Sequence, residues 1–108
     1  MQELGSLARS IDFSRVLREG CRSSLPGVSI STSPAAEGIR LGLAVRASGA
    51  VQRNRVKRRL REAFRVAART SGTGVDVVIR ADGRAAMIPF QELEALARRA
   101  VSLGPELR

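Results

Sequence analysis

Apolar residues fall at Val56, Leu60, Ala63, Phe64 and Ala67, in steps of three and four. That is the period of one helical face. No Gly or Pro interrupts Val51 to Arg69, so the pattern predicts one long helix there. Phe13, Val16 and Leu17 repeat the same spacing on a smaller scale, between Asp12 and Gly20. They predict a short amphipathic helix with Arg15 and Arg18 on its other side. Phe90, Leu93, Leu96, Ala97, Ala100 and Leu103 predict a third helix over Pro89 to Leu103. Pro89 near its start and Gly104-Pro105 after its end are ordinary helix punctuation.

Between the helices the period changes to two. Val28-Ser29-Ile30-Ser31 alternates briefly, and Ile39, Leu41, Leu43 and Val45 alternate with Arg40, Gly42 and Ala44. The turn Pro34 to Gly38 separates the two runs, which suggests an antiparallel hairpin. Val75 to Arg80 is the most strand-like run, β-branched and preceded by Gly74. A further short strand fits near Pro26. Residues 1–10 show no clear pattern, and residues 1–6 and 105–108 are expected to be loose. The order is α-β-β(-β)-α-β-α. It predicts an α+β fold, a two-layer α/β sandwich in which the helices cover a three- or four-stranded sheet. At 108 residues the chain is read as a single domain, 1–108, able to bury about two-thirds of its unfolded surface.

Charge changes the picture of the central helix. Val51 to Arg69 carries eight basic residues against one acid, Glu62, and the chain's net charge is +9. The remaining residues therefore contribute only +2. Arg53, Lys57 and Arg61 lie four apart and form a ridge, with Arg58 and Arg65 beside it. Like charges at this spacing repel by a few tenths of a kcal/mol per pair. Folding does not explain such a ridge, whereas an anionic partner does. All basic residues but Lys57 are Arg. A GC-rich coding sequence accounts for that ratio, but not for the clustering. The loop Arg46 to Ala50 opens this helix, where free backbone N–H groups can face phosphate.

The inventory of reactive groups is short. There is one cysteine, Cys21, and no histidine. No disulfide can form within the chain, and a Cys/His metal site is excluded. No His can act as general base, Cys21 has no His to activate it, and no acidic pair stands out as a two-metal cluster. An autonomous protein nuclease is thereby disfavoured, and no catalytic residue is assigned. No run approaches the ~20 apolar residues of a membrane helix, so no membrane partner is expected. A reducing, cytoplasmic setting fits the cysteine usage. A DNA-binding helix-turn-helix would need a helix before the basic segment, and here a strand precedes it; no DNA partner is expected.

The run Gly49-Ala50-Val51-Gln52-Arg53-Asn54-Arg55-Val56-Lys57-Arg58-Arg59-Leu60-Arg61-Glu62-Ala63-Phe64-Arg65, with Gly42-Leu43-Ala44-Val45 before it, resembles the protein subunit of bacterial ribonuclease P. That family's signature is an Arg-Asn-Arg helix entered through a Gly-x-Ala-Val loop. Asp12 to Leu17 with Gly20 resembles its first helix, and Val75 to Ala81 its later strand. The resemblance implies a β-α-β unit with left-handed crossover, where pattern reasoning alone would choose the right-handed form.

It also implies a function. The protein binds a catalytic RNA, and the complex removes the 5′ leader of precursor tRNA. The RNA performs the cut with Mg²⁺, which the RNA component mainly binds. Carried over by residue, Arg53, Asn54, Arg55, Lys57, Arg58, Arg61 and Arg65 would contact the catalytic RNA. Phe13, Leu17, Ser31, Arg46 and Arg9 would line the leader cleft. The chain departs from the family there. Leu17 stands where a second Phe is common, and Ser31 near a usual aromatic. Arg46-Ala47-Ser48 replaces a more basic linker, and Arg9 is the one basic residue left of an N-terminal run. Base stacking is worth about 1–3 kcal/mol per base, so the grip on a leader is expected to be weaker or differently built. The alternative is a non-catalytic structural RNA-binding protein of ribosomal type, which shares the basic helix and needs no cleft.

Overall fold

The computed structural model describes residues 4–6, 10–35, 38–69 and 74–103. Among the described residues, five strands and three α-helices follow one another as β1 (Leu4–Ser6), α1 (Ser10–Glu19), β2 (Cys21–Leu25), β3 (Val28–Pro34), β4 (Ile39–Arg46), α2 (Ala50–Ala68), β5 (Val75–Asp82) and α3 (Phe90–Leu103). A 3₁₀ turn, Gly83–Met87, leads from β5 toward α3. The three expected helices are present. So is the α+β architecture.

The strands form one sheet in the order β1-β4-β5-β3-β2. β4 and β5 are parallel neighbours joined through α2, which is the expected β-α-β unit. The expected hairpin between Val28–Ser31 and Ile39–Val45 does not form. β5 lies between those strands, antiparallel to β3 and parallel to β4. The reason is visible in its composition. Val75, Asp76, Val77, Val78 and Ile79 are all buried, and a strand apolar on both faces belongs at the centre of a sheet.

The true hairpin joins β2 to β3 through Pro26-Gly27, with Leu25 opposite Val28. Gly27 supplies the positive φ (+91°) that this tight turn needs. β2 reads as CRSSL, without an apolar alternation, and its partner strand places it. Residues 4–6, expected to be loose, pair with β4 as a parallel edge strand. Residues 1–3 and 104–108 lie outside the described residues.

The main core lies on one face of the sheet. Val28, Ile30, Ile39, Leu41, Val75, Val77 and Ile79 meet Val56, Leu60 and Phe64 of α2 and Leu93, Leu96 and Ala97 of α3. α1 packs instead against β3 and β5 on the other face, where Val16 and Val78 are buried with Leu17 partly covered. Gly20 allows its end to approach. A Cβ there would stand 2.5 Å from the carbonyl oxygens of both Thr32 and Val16.

Candidate nucleic-acid interface

α2 buries Val56, Leu60, Ala63, Phe64, Ala67 and Ala68. With ~100° between successive residues, the opposite side of the helix is left to the basic residues. Asn54, Arg58, Arg61 and Arg65 line one shallow surface depression of about 330 Å³, together with Glu62. Arg53 and Lys57 are half-buried and flank it on the ridge with Arg61; Arg55 is exposed further round the helix. Asn54, Arg58, Arg61 and Arg65 thus share one side of α2, with Arg55 on one flank and Arg53 and Lys57 on the other. Arg65 is bonded to Glu62 at 2.5 Å, and both side chains remain about half exposed (58% and 46%). Such a surface pair contributes at most ~1 kcal/mol and can be exchanged for a phosphate contact.

Arg59 behaves differently. Its guanidinium donates to the carbonyl oxygens of Ala85 (2.7 Å) and Ile88. It ties α2 to the chain leading into α3. At the start of α2, Gly49 is the N-cap with extended backbone and no side-chain capping bond. The first turn holds no acid. Helix-start N–H groups have no partner within the helix, and the dipole is positive there. Ser48 folds back on Gln52, its Oγ donating to Oε1 at 3.2 Å.

The second surface is the sheet face that carries α1. Strand register arranges it in rows. Arg40, Asp76 and Ser33 form one row. Gly42, Val78, Ser31 and Arg22 form the next, and Ala44, Arg80, Ser29 and Ser24 the third. Arg46 and Asp82 begin a fourth. α1 sits over the first two, through Arg15, Val16 and Leu17. The third and fourth are open. An open groove of about 730 Å³ there is lined by Ser24, Ser29, Arg46, Arg80, Asp82 and Arg84, among others.

The predicted cleft residues are only partly brought together. Leu17 is half-buried against Val16 and Val78. Ser31 is 1% exposed, beside Val78 in the register, and presents no surface to a ligand strand. Position 31 falls in the row beneath α1, and the open position is two residues along β3, at Ser29. Arg46 is exposed and lines the groove. Arg9 and the side chain of Phe13 lie outside the described residues.

Sequence reasoning missed Arg22 and Arg80, both exposed on this face. The alternation of β5 does place Arg80 opposite Val77 and Ile79. Its partners Ser29 and Ala44 follow only once β5 is known to run between β3 and β4.

Two carboxylates are held in their charged form. Burial of Asp76 works to raise its pKa, but hydrogen bonds and charge from Arg40 and Arg15 together outweigh that and hold it below its ordinary value. Exposed Asp82 is lowered by the side-chain and backbone N–H groups of Arg84, with which it caps the 3₁₀ turn.

The family model for ribonuclease P matches residues 1–102. The chain belongs to the ribonuclease P protein family. A ribonuclease P protein component from Pseudarthrobacter chlorophenolicus is 41% identical over 91 residues, 81% of this chain and 67% of that one. One from Kocuria rhizophila is 38% identical over 98 residues, covering 86% and 85%. The solved Staphylococcus aureus RNase P protein shares the fold, with a TM-score of 0.73 at 20% identity over 95% of this chain and 97% of that one. The Thermotoga maritima RNase P protein does likewise, with a TM-score of 0.72 at 24% identity and coverage of 86% and 97%. Family membership decides between the two RNA-binding readings. The chain is a protein subunit of ribonuclease P, an endoribonuclease, and its partner is RNA.

Proposed function

We propose that this subunit binds the catalytic RNA of ribonuclease P through α2 and the 5′ leader of precursor tRNA on the open sheet face, while the RNA carries out the cleavage. The observation that carries the first half is the Asn54, Arg58, Arg61, Arg65 surface. A rigid helix held by Phe64 and Leu60 in the core presents these groups without an acid at its entry. Arg guanidinium groups suit bidentate phosphate contact. Arg53, Arg55 and Lys57 extend the contact on either side.

The leader is assigned to the sheet face because it is a basic, open surface beside α1. Arg22, Arg46 and Arg80 supply charge, while Ser24, Ser29 and Ala44 leave room for a strand to lie close. Leu17 belongs to the α1 side of the same site, to which the family resemblance would add Phe13 and Arg9. Recognition built on guanidinium and hydroxyl groups reads phosphate and ribose more than base. It is accordingly tolerant of leader sequence.

Among the described residues, no group of three or more His, Cys, Asp or Glu side chains is placed to hold a metal ion. In this reading Mg²⁺ is held mainly by the RNA component. The protein's contribution is to neutralise phosphates and hold the substrate strand. No described helix is long and apolar enough to cross a membrane, and a cytoplasmic ribonucleoprotein is the setting this reading supports.

The test is a comparison of precursor and mature tRNA affinities for the holoenzyme. Tighter binding of the precursor, lost when the leader is trimmed away, is expected. Equal affinity for both, with and without the protein, would overturn the leader assignment.

A further inference from the structure

Among the described residues, the apolar contact beneath α1 is limited to Val16, Val78 and part of Leu17. Polar contact also holds this helix. Asp76 of β5 is 1% exposed and accepts from two guanidinium groups. Arg40 of β4 approaches it in bidentate fashion, Nε to Oδ1 at 2.8 Å and Nη2 to Oδ2 at 2.7 Å. Arg15 of α1 donates Nη2 to Oδ2 at 2.5 Å and Nη1 to Ser33 Oγ of β3 at 3.1 Å. One buried carboxylate therefore links α1 to the three central strands. Arg40 fixes its orientation, and that orientation aims Oδ2 at Arg15. Nothing in the α2 surface uses it.

We propose that Asp76 is a positioning residue for the precursor: by holding Arg15 it sets the spacing between α1 and the open sheet face, and so the width of the channel that takes the single-stranded leader. The inference rests on the leader assignment above. Asp76 itself touches no RNA, because it lies under the two arginines, whose side chains are 31% and 42% exposed. It acts through Arg15. Pre-setting the channel removes an ordering cost that the leader would otherwise meet on binding.

The experiment uses the reconstituted holoenzyme with Asp76→Asn. This change removes one negative charge and raises the formal net charge from +9 to +10. Simple electrostatics would then tighten every RNA contact. Positioning predicts the opposite for one ligand. Precursor affinity falls by about tenfold, while mature tRNA and the catalytic RNA stay within about twofold. Amide exchange along α1 is read in parallel and accelerates in the variant.

A second variant, Arg15→Met, leaves Asp76 paired with Arg40, so no buried charge is stranded. It should show the same selective loss, with Arg15→Lys recovering part of it. If α1 exchange and the precursor-to-mature ratio are both unchanged in Asp76→Asn and Arg15→Met, the inference is overturned. A parallel fall for precursor and mature tRNA also overturns it. If α1 loosens while the ratio stays constant, the clamp exists but the leader assignment fails.

Discussion

Arg59 donates to the carbonyl oxygen of Ala85 at 2.7 Å, from the middle of a helix on which Arg55, Arg58, Arg61 and Arg65 are exposed. Two neighbours on α2, Arg58 and Arg59, therefore have different employments. Arg59→Ala should leave the Ala85 and Ile88 carbonyls short of a donor and lower stability by about 1–3 kcal/mol. Arg58→Ala should change stability by no more than ~0.5 kcal/mol. Urea denaturation of both variants checks this. Equal destabilisation would mean that Arg59 is not a structural link.

RNA affinity should separate the same helix in the other direction. Arg58→Ala and Arg61→Ala should each weaken binding to the catalytic RNA and reduce the slope of log K against log salt by about one. Arg59→Ala, assayed where it is fully folded, should retain the wild-type slope. A salt titration of all three measures it, and an unchanged slope in Arg58→Ala and Arg61→Ala would remove those residues from the interface.

The open sheet face gives a third expectation. Arg80 stands between Ala44 and Ser29, with no bulky neighbour in its row. Arg80→Ala should weaken precursor tRNA binding by about 1 kcal/mol, a typical value for a lost charge-assisted contact, and leave mature tRNA unaffected. Replacing the leader sequence while keeping its length should matter less than this substitution. A strong dependence on leader sequence would point to base readout instead.

Acid should loosen α1. The Asp76 carboxyl lies below its ordinary 3.8 in the folded chain, through the outweighing contacts of Arg40 and Arg15. A lowered carboxyl pKa stabilises above the unfolded value and loses that contribution as pH falls through the folded one. Wild-type stability should therefore hold from neutral pH to about pH 4 as far as this group is concerned, then decline. Asp76→Asn should show a shallower decline. Denaturant midpoints at neutral and acid pH provide the comparison, and parallel curves would count against the ion cluster.

Much of this was legible in the sequence because helical period is a local property. The α2 stripe from Val56 to Ala67 and the α3 stripe from Leu93 to Ala100 are buried as the spacing predicts. Strand pairing is not local. The turn between Val28–Ser31 and Ile39–Val45 suggests hairpin partners, yet the buried run Val75 to Ile79 takes the position between them.

That single exchange explains the misplaced part of the site. Resemblance assigns Ser31 to the cleft, but its register with Val78 puts it beneath α1, whereas Arg80 and Ser29 meet in the open row. Gly20 could be read as a helix stop, while its second role, letting α1 close on Thr32, needed the three-dimensional contact. The role of Asp76 appears only in three dimensions, where Arg15 and Arg40 converge on it from distant parts of the chain.

The most direct test of the central claim is reconstitution at low Mg²⁺ with precursor tRNA, the cognate ribonuclease P RNA and this protein, alone and together. Leader removal only when RNA and protein are combined, with none from the protein alone, is the predicted result. Cleavage by the protein without RNA, or no stimulation of the cognate RNA despite tight binding, would contradict it.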